Sequence, residues 1–239
     1  MRVVVCLMVV WVAVAVSVAQ RIPGPGGMAP ASVPAGPLVN AVCGPAEPGP
    51  NGGASAPVDM TGAGLLVLFK VDNAVGAISS VPTNSWAGLV GYSRSNLYVA
   101  DFGVVSNAMT FSETGGAVYA GFCAAGFAGY AGLASYEAGS WQADAGVAPS
   151  VTVTPVGLGP HLIVSGSYCD VGATTLTPVD GFLPVPPWSI DYHIGLNYAA
   201  SMAYQVVNTN DPVVVGWSQS PLMCGSAVVV AAAFQSYHP

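Results

Sequence analysis

Beyond Pro57 the apolar residues come in short runs, and each run stops at Gly, Pro, Asn or Asp. Val, Leu, Ile, Tyr and Phe dominate these runs. Several alternate in part: in Met202-Ala203-Tyr204-Gln205-Val206 one face carries Met202, Tyr204 and Val206. Short stretches of β-branched and aromatic residues between turn formers predict strands. The predicted strands are Leu65–Val71, Ala77–Val81, Leu97–Val105, Met109–Ser112, Ala117–Phe122, Ala131–Glu137, Val151–Val156, His161–Tyr168, Thr174–Thr177, Ile194–Val207, Val213–Ser218 and Ala227–Phe234. No capping box precedes a long run of 3.6-residue period, so no helix is predicted. The chain also echoes itself. Leu65-Leu66-Val67 recurs as Leu162-Ile163-Val164, Ala77–Pro82 as Ala173–Pro178, Leu97–Ala100 as Asn197–Ala200, and Ala134–Glu137 as Ala232–Gln235, at offsets of 96 to 100 residues. Two similar strand-rich halves predict an all-β fold, an antiparallel two-sheet β-sandwich.

Gly115 to Ser135 fits this pattern least well. It is uncharged apart from its flanks and built from Ala, Gly, Phe and Tyr, as a small-residue membrane helix is. Six glycines count against that, each costing about 1 kcal/mol inside a helix. The reading favoured is two strands joined by a turn near Gly126–Gly129.

Three segments divide the chain. In residues 1–19, Met1-Arg2 is a short basic start, Val3 to Val16 is apolar, and Ser17-Val18-Ala19 offers small residues to a signal peptidase. This is a signal peptide, or an anchor if it is not cleaved. In residues 20–57, Pro and Gly are interleaved from Pro23 to Pro57. Pro lacks a donor and Gly is costly to order, so a disordered linker is expected there. The β-sandwich domain is then 58–239.

Composition narrows the partners. Only 6% of residues are charged, against a usual ~25%. Four basic and eleven acidic residues give a net charge of -7. That argues against nucleic acid, which needs Lys and Arg to neutralise phosphates, and against an anionic membrane surface. Membrane attachment then depends on the amino-terminal segment staying uncleaved. Low charge also leaves strand edges free to pair, so a homo-oligomer or an assembled particle is a natural partner state. Cleavage after Ala19 removes Cys6 and leaves Cys43, Cys123, Cys169 and Cys224, an even number suited to an oxidising compartment. Sequence alone does not choose the pairing. Cys169 with Cys224 is favoured because both sit beside strands of the second half, and Cys43 would then have to reach Cys123. Cys123 can equally be a small buried apolar residue.

No catalytic set stands out. Glu113 and Glu137 are the glutamates of the predicted domain, and a glycosidase would need two carboxylates facing one cleft. Gly91-Tyr92-Ser93-Arg94-Ser95 lacks the final Gly of a nucleophile elbow. His161, His193 and His238 have no metal-ligand spacing. Asn208-Thr209-Asn210-Asp211 offers hard oxygen ligands, and is equally an ordinary turn. The chain therefore predicts no catalytic residue, no metal and no cofactor. The best binding hint is aromatic. Trp188 follows the stiff Pro184-Val185-Pro186-Pro187, Tyr192 stands nearby, and Trp141 lies in a predicted loop. Such rings can stack on sugars or can cap the open ends of a sandwich.

The order of pieces carries a resemblance. Gly62-Ala63-Gly64-Leu65-Leu66-Val67 opens the domain, Ala131–Gly139 closes the first half, Val153–Val164 leads into the second, Thr177–Phe182 follows, and Ala227–Phe234 ends it. This resembles the concanavalin-A-like or jelly-roll sandwiches of secreted bacterial proteins and of phage virion and tail proteins. The resemblance implies a non-catalytic, secreted or virion-surface protein for display, adhesion or assembly, with a glycan or cell-surface ligand. The alternative is a polysaccharide hydrolase or lyase on the same scaffold, using Glu113 and Glu137.

Overall fold

Several strands carry apolar side chains on both faces, and the folded chain covers both. A computed structural model describes residues 36–44, 54–72, 77–92, 95–101, 103–114, 120–142, 149–170, 175–185, 199–220 and 224–237. The described residues form strands and connections with no helix. The first half holds β1 (Leu38–Gly44), β2 (Leu65–Asp72), β3 (Ala77–Val81), β4 (Ala87–Tyr92), β5 (Ser95–Asp101), β6 (Thr110–Thr114) and β7 (Ala120–Phe127). The second holds β8 (Tyr130–Gln142), β9 (Ser150–Val153), β10 (His161–Cys169), β11 (Thr175–Pro178), β12 (Leu183–Pro184), β13 (Ala199–Val207), β14 (Val213–Ser220) and β15 (Ser226–Ser236). All pairings between them are antiparallel.

The strands form two five-stranded sheets, ordered β1-β7-β2-β5-β4 and β12-β13-β10-β15-β8, with smaller sheets β3-β6 and β11-β14-β9. Matching β1, β7, β2, β5 and β4 with β8, β15, β10, β13 and β12 turns the first large sheet into the second. The small sheets match too, because Ala54 and Val58 bridge to Ser112 and Met109 where β9 pairs with β14 in the second half. Register follows. Leu65 faces Phe127 as Leu162 faces Phe234, and the register slips beside both aromatics, at Leu38/Asn40 and at Ala233/Phe234.

Expected as two sheets, the sandwich has four. The large sheets pack face to face on Leu65, Val67, Phe69 and Val71 of β2, Leu162 and Val164 of β10, and Val228, Val230, Ala232 and Phe234 of β15. Their other faces carry a second set from the same strands. Leu66 and Leu68 pack with Met60, Met109 and Phe111. Ile163, Val229, Ala231 and Ala233 pack with Val153, Val215 and Trp217. This double burial explains why every residue of β10 is buried and why β15 reads as a nearly continuous apolar run rather than clean alternation. Close approach of the large sheets needs a residue without a side chain: a Cβ on Gly166 of β10 would run into the Phe69 ring.

The predicted linker 20–57 differs from the structure at its carboxy-terminal end. Leu38–Gly44 forms β1 at the edge of a large sheet, opposite Phe122–Phe127. The window between Pro37 and Pro45 is free of Pro, and Leu38 and Ala41 lean on the inner core while Val39 and Val42 lean on the outer one. Burial on two sides outweighs the Pro and Gly around it. The remainder of 1–57, apart from residues 36–44 and 54–57, lies outside the described residues. In Gly115–Ser135, β7 and β8 are joined at Ala128-Gly129, and among the described residues no helix is long and apolar enough to cross a membrane.

The outer core of the first half contains a sealed ion pair: Lys70 Nζ of β2 lies 2.6 Å from Glu113 Oε1 of β6, with the side chains 1% and 2% exposed. Matching Leu65 with Leu162 puts Ser167 at Lys70's place. Matching Phe111 with Trp217 puts Gln219 at Glu113's. The halves thus share a frame while one carries charge where the other carries neutral polar groups. Removing one partner of a buried pair strands the other charge. Lys70→Met should therefore cost about 3–5 kcal/mol in denaturant unfolding, and Lys70→Met with Glu113→Leu should recover most of that loss.

Burial also pushes the phenols of Tyr130 and Tyr204 above their usual value of 10.0. Both rings belong to the inner core, where Tyr204 meets Phe127 edge to face at 5.5 Å. Neutral phenols contribute stability that is fully present below the unfolded value and is lost as pH rises through the raised folded values. Unfolding free energy should hold up to about pH 10 and fall above it, and Tyr204→Phe should flatten that fall.

Candidate functional site

Residues singled out in the sequence scatter. Trp188 and Tyr192 lie outside the described residues, as do His193, His238 and Ser93. Trp141 lies in β8 opposite Ala227 rather than in a loop, and its side chain is outside the described part. Trp217 fills the outer core of the second half, donating from Nε1 to Ser165 Oγ at 3.1 Å. Glu113 is sealed against Lys70, while Glu137 sits on β8 in the other large sheet, opposite Ala231. A carboxylate 2% exposed and ion-paired presents nothing to a polysaccharide.

Two small clefts open where loops meet at strand ends. One, of about 190 Å³, lies between the β9–β10 loop (Gly157, Leu158, Gly159) and the β13–β14 loop (Asn208, Thr209, Asn210). Its polar groups are largely committed within the protein. His161, fully buried at the start of β10, bonds through Nε2 to Asn210 Oδ1 at 2.9 Å. The Asn210 amide donates to Gly157 O at 3.0 Å, which makes Oδ1 the acceptor and Nε2 the protonated nitrogen of His161. Thr209 Oγ1 donates to Asp211 Oδ2 and accepts from the Asp211 amide, both at 2.9 Å. The Asn208–Asp211 stretch is therefore a turn braced by its own side chains and by His161.

The second cleft, of about 260 Å³, lies between the β3–β4 loop (Thr83, Asn84, Ser85) and the β5–β6 loop (Asp101, Gly103, Val104). Asn84 is its frame. Its Nδ2 donates to Ser80 Oγ, Pro82 O and Val104 O at 3.0 to 3.2 Å, and its Oδ1 accepts from the Val104 amide at 2.6 Å. Trp86 Nε1 donates to the same Ser80 Oγ at 3.4 Å. Asp101, at the end of β5, receives the Gly132 amide of β8 on both carboxylate oxygens at 3.2 Å, so the second half holds the carboxylate in place. Val104, which lines the cleft, is 60% exposed. Asn84 and Asp101 are isolated polar residues in sequence, and only the fold brings their loops together.

Two disulfides staple the body. Cys43 joins Cys123, its direct cross-strand partner between β1 and β7, with Cα atoms 4.1 Å apart. Cys169, at the end of β10, joins Cys224 just before β15, with Cα atoms 5.5 Å apart. Closing loops of 80 and 55 residues removes about 4–5 kcal/mol of unfolded-state freedom each in the chain-entropy picture.

No protein-family model, curated protein or solved structure matches the chain. Asn84→Ala should cost roughly 1–3 kcal/mol by leaving the Val104 backbone groups without their partner, and hydrogen exchange should show faster exchange at the Val104 amide with the large sheets unchanged.

Proposed function

We propose that this chain is a non-catalytic, exported or virion-surface protein for display, adhesion or assembly, built from two jelly-roll sandwiches stacked through their larger sheets. In each half the first strand lies beside the last and the third beside the sixth, if the Ala54–Val58 arm and β9 are counted as second strands, which is the wrapping a jelly roll produces. What carries the functional reading is the division of labour in the body. The interior is apolar apart from the Lys70–Glu113 pair, His161 and a few serines, and is tied by two disulfides, whereas Val104, Val156 and Leu158 and the Thr83 and Ser85 hydroxyls stand exposed on loops. A rigid scaffold that presents loops is an architecture that suits recognition, and among the described residues no pair of carboxylates meets on those loops. Disulfides that tie strands to one another fit an oxidising compartment, as does the amino-terminal segment ending at Ala19.

A polysaccharide hydrolase or lyase is the weaker reading, because Glu113 is used up inside the protein. Expression of the full chain in an exporting host should release a protein beginning after Ala19, with Cys43–Cys123 and Cys169–Cys224 peptides recovered without reduction. Retention in the cytoplasm with free thiols, or release of reducing sugar from a panel of polysaccharides, would overturn the proposal.

A further inference from the structure

The clefts of the two halves use matching loops but differ in what they leave available. In the second half Asn210 Oδ1, one carboxylate oxygen of Asp211 and the Thr209 hydroxyl are bound to neighbours, which leaves the Asn208 amide as the cleft's uncommitted side chain. In the first half the Thr83 and Ser85 hydroxyls line the cleft with no partner among the described residues. Asp101 has lone pairs beyond those that accept from Gly132. Register puts Asp101 opposite Leu65, and the matching place opposite Leu162 is held by Val206. A carboxylate therefore stands where the shared frame is filled by an apolar residue in the other half. Gly103 completes the site: a Cβ there would come within 2.7 Å of Asn84 Oδ1, so any other residue would push the Asn84 side chain from its bonds to Val104.

We propose that this cleft binds a neutral polyhydroxylated ligand, one pyranose ring of an oligosaccharide. The proposal deepens the adhesion reading by assigning its ligand class and place. A sugar hydroxyl both donates and accepts, which suits a fixed carboxylate acceptor beside two hydroxyls that do either. The exposed methyl groups of Val104 offer an apolar flank to the ring's C–H face. The volume of about 260 Å³ is at the small end of ligand cavities and fits one ring rather than a long chain. An anionic ligand is disfavoured by the carboxylate and by the net charge of -7. A free cation would meet a single exposed carboxylate, a weak partner in water.

The test is a titration of the isotope-labelled full chain with methyl glycosides of glucose, galactose, mannose and N-acetylglucosamine, followed by amide shifts. At least one should give saturable shifts at Gly103 and Val104 in the millimolar range. Thr83→Ala with Ser85→Ala, both at exposed positions, should weaken that binding about tenfold with no change in melting temperature. Asp101→Asn should weaken it as well and reports the charge-assisted bonds. Silence toward all four glycosides, unchanged affinity in both variants, or shifts confined to residues away from the cleft would each overturn the site. So would saturable shifts at Gly103 with methylammonium instead. An exported, disulfide-bonded chain silent in this titration would remove the site and leave the display reading standing.

Discussion

Burial of the two large sheets on both faces is the constraint from which the rest follows. A β-sheet with one wet face needs polar residues at every second position. Here β2, β10 and β15 give one set of side chains to the shared inner core and the other to an outer core beneath a smaller sheet. Each buried Leu, Val or Phe is worth about 1.5–3 kcal/mol against exposure, so a chain with 6% charged residues folds into a layered body without relying on surface ion pairs. The same constraint fixes small residues where sheets come closest. Gly166 under Phe69 is the clearest case, and the alanines at 231 to 233 keep β15 thin between two cores.

Repetition gives that body its plan, and departures from repetition give it character. The two halves share strand order, opposed Leu–Phe pairs and a slip of register beside each Phe. Yet Lys70 and Glu113 are charged where Ser167 and Gln219 are not, Asp101 stands where Val206 does, and the disulfides are placed differently in each half. A buried pair of opposite charges is seldom the most stabilising choice for its volume. Its effect here is to favour one seating of the β3-β6 sheet on β2 over any shifted one, since a shift would strand both charges.

Much of the local structure was legible. Each of the twelve predicted strands overlaps an observed one, and Ala77–Val81 coincides with β3 end to end. The strands missed were β1, β4 and β12. Ala87–Tyr92 carries two glycines, Leu183–Pro184 is two residues long, and Leu38–Gly44 is flanked by Pro on both sides. All three are edge strands of large sheets, where pairing on one side and packing underneath compensate for poor intrinsic preference. The internal echo located β2 against β10 and β3 against β11, but it matched Ala134–Glu137 to Ala232–Gln235, segments that are neighbours in one sheet. Similar composition on paired strands imitates a repeat.

The candidate site was not legible at all. Asn84 and Asp101 belong to no motif, and their meaning comes from Val104 and Gly132, residues that proximity in sequence does not link to both. The chain by itself determined that strands form, where most of them lie and where turns interrupt them, because those choices depend on neighbours a few residues away. Tertiary structure decided that there are four layers, that Lys70 meets Glu113, and that two loops enclose a polar cleft. Those outcomes depend on which faces meet, and water exclusion between faces is set by the whole assembly of strands and not by any one of them.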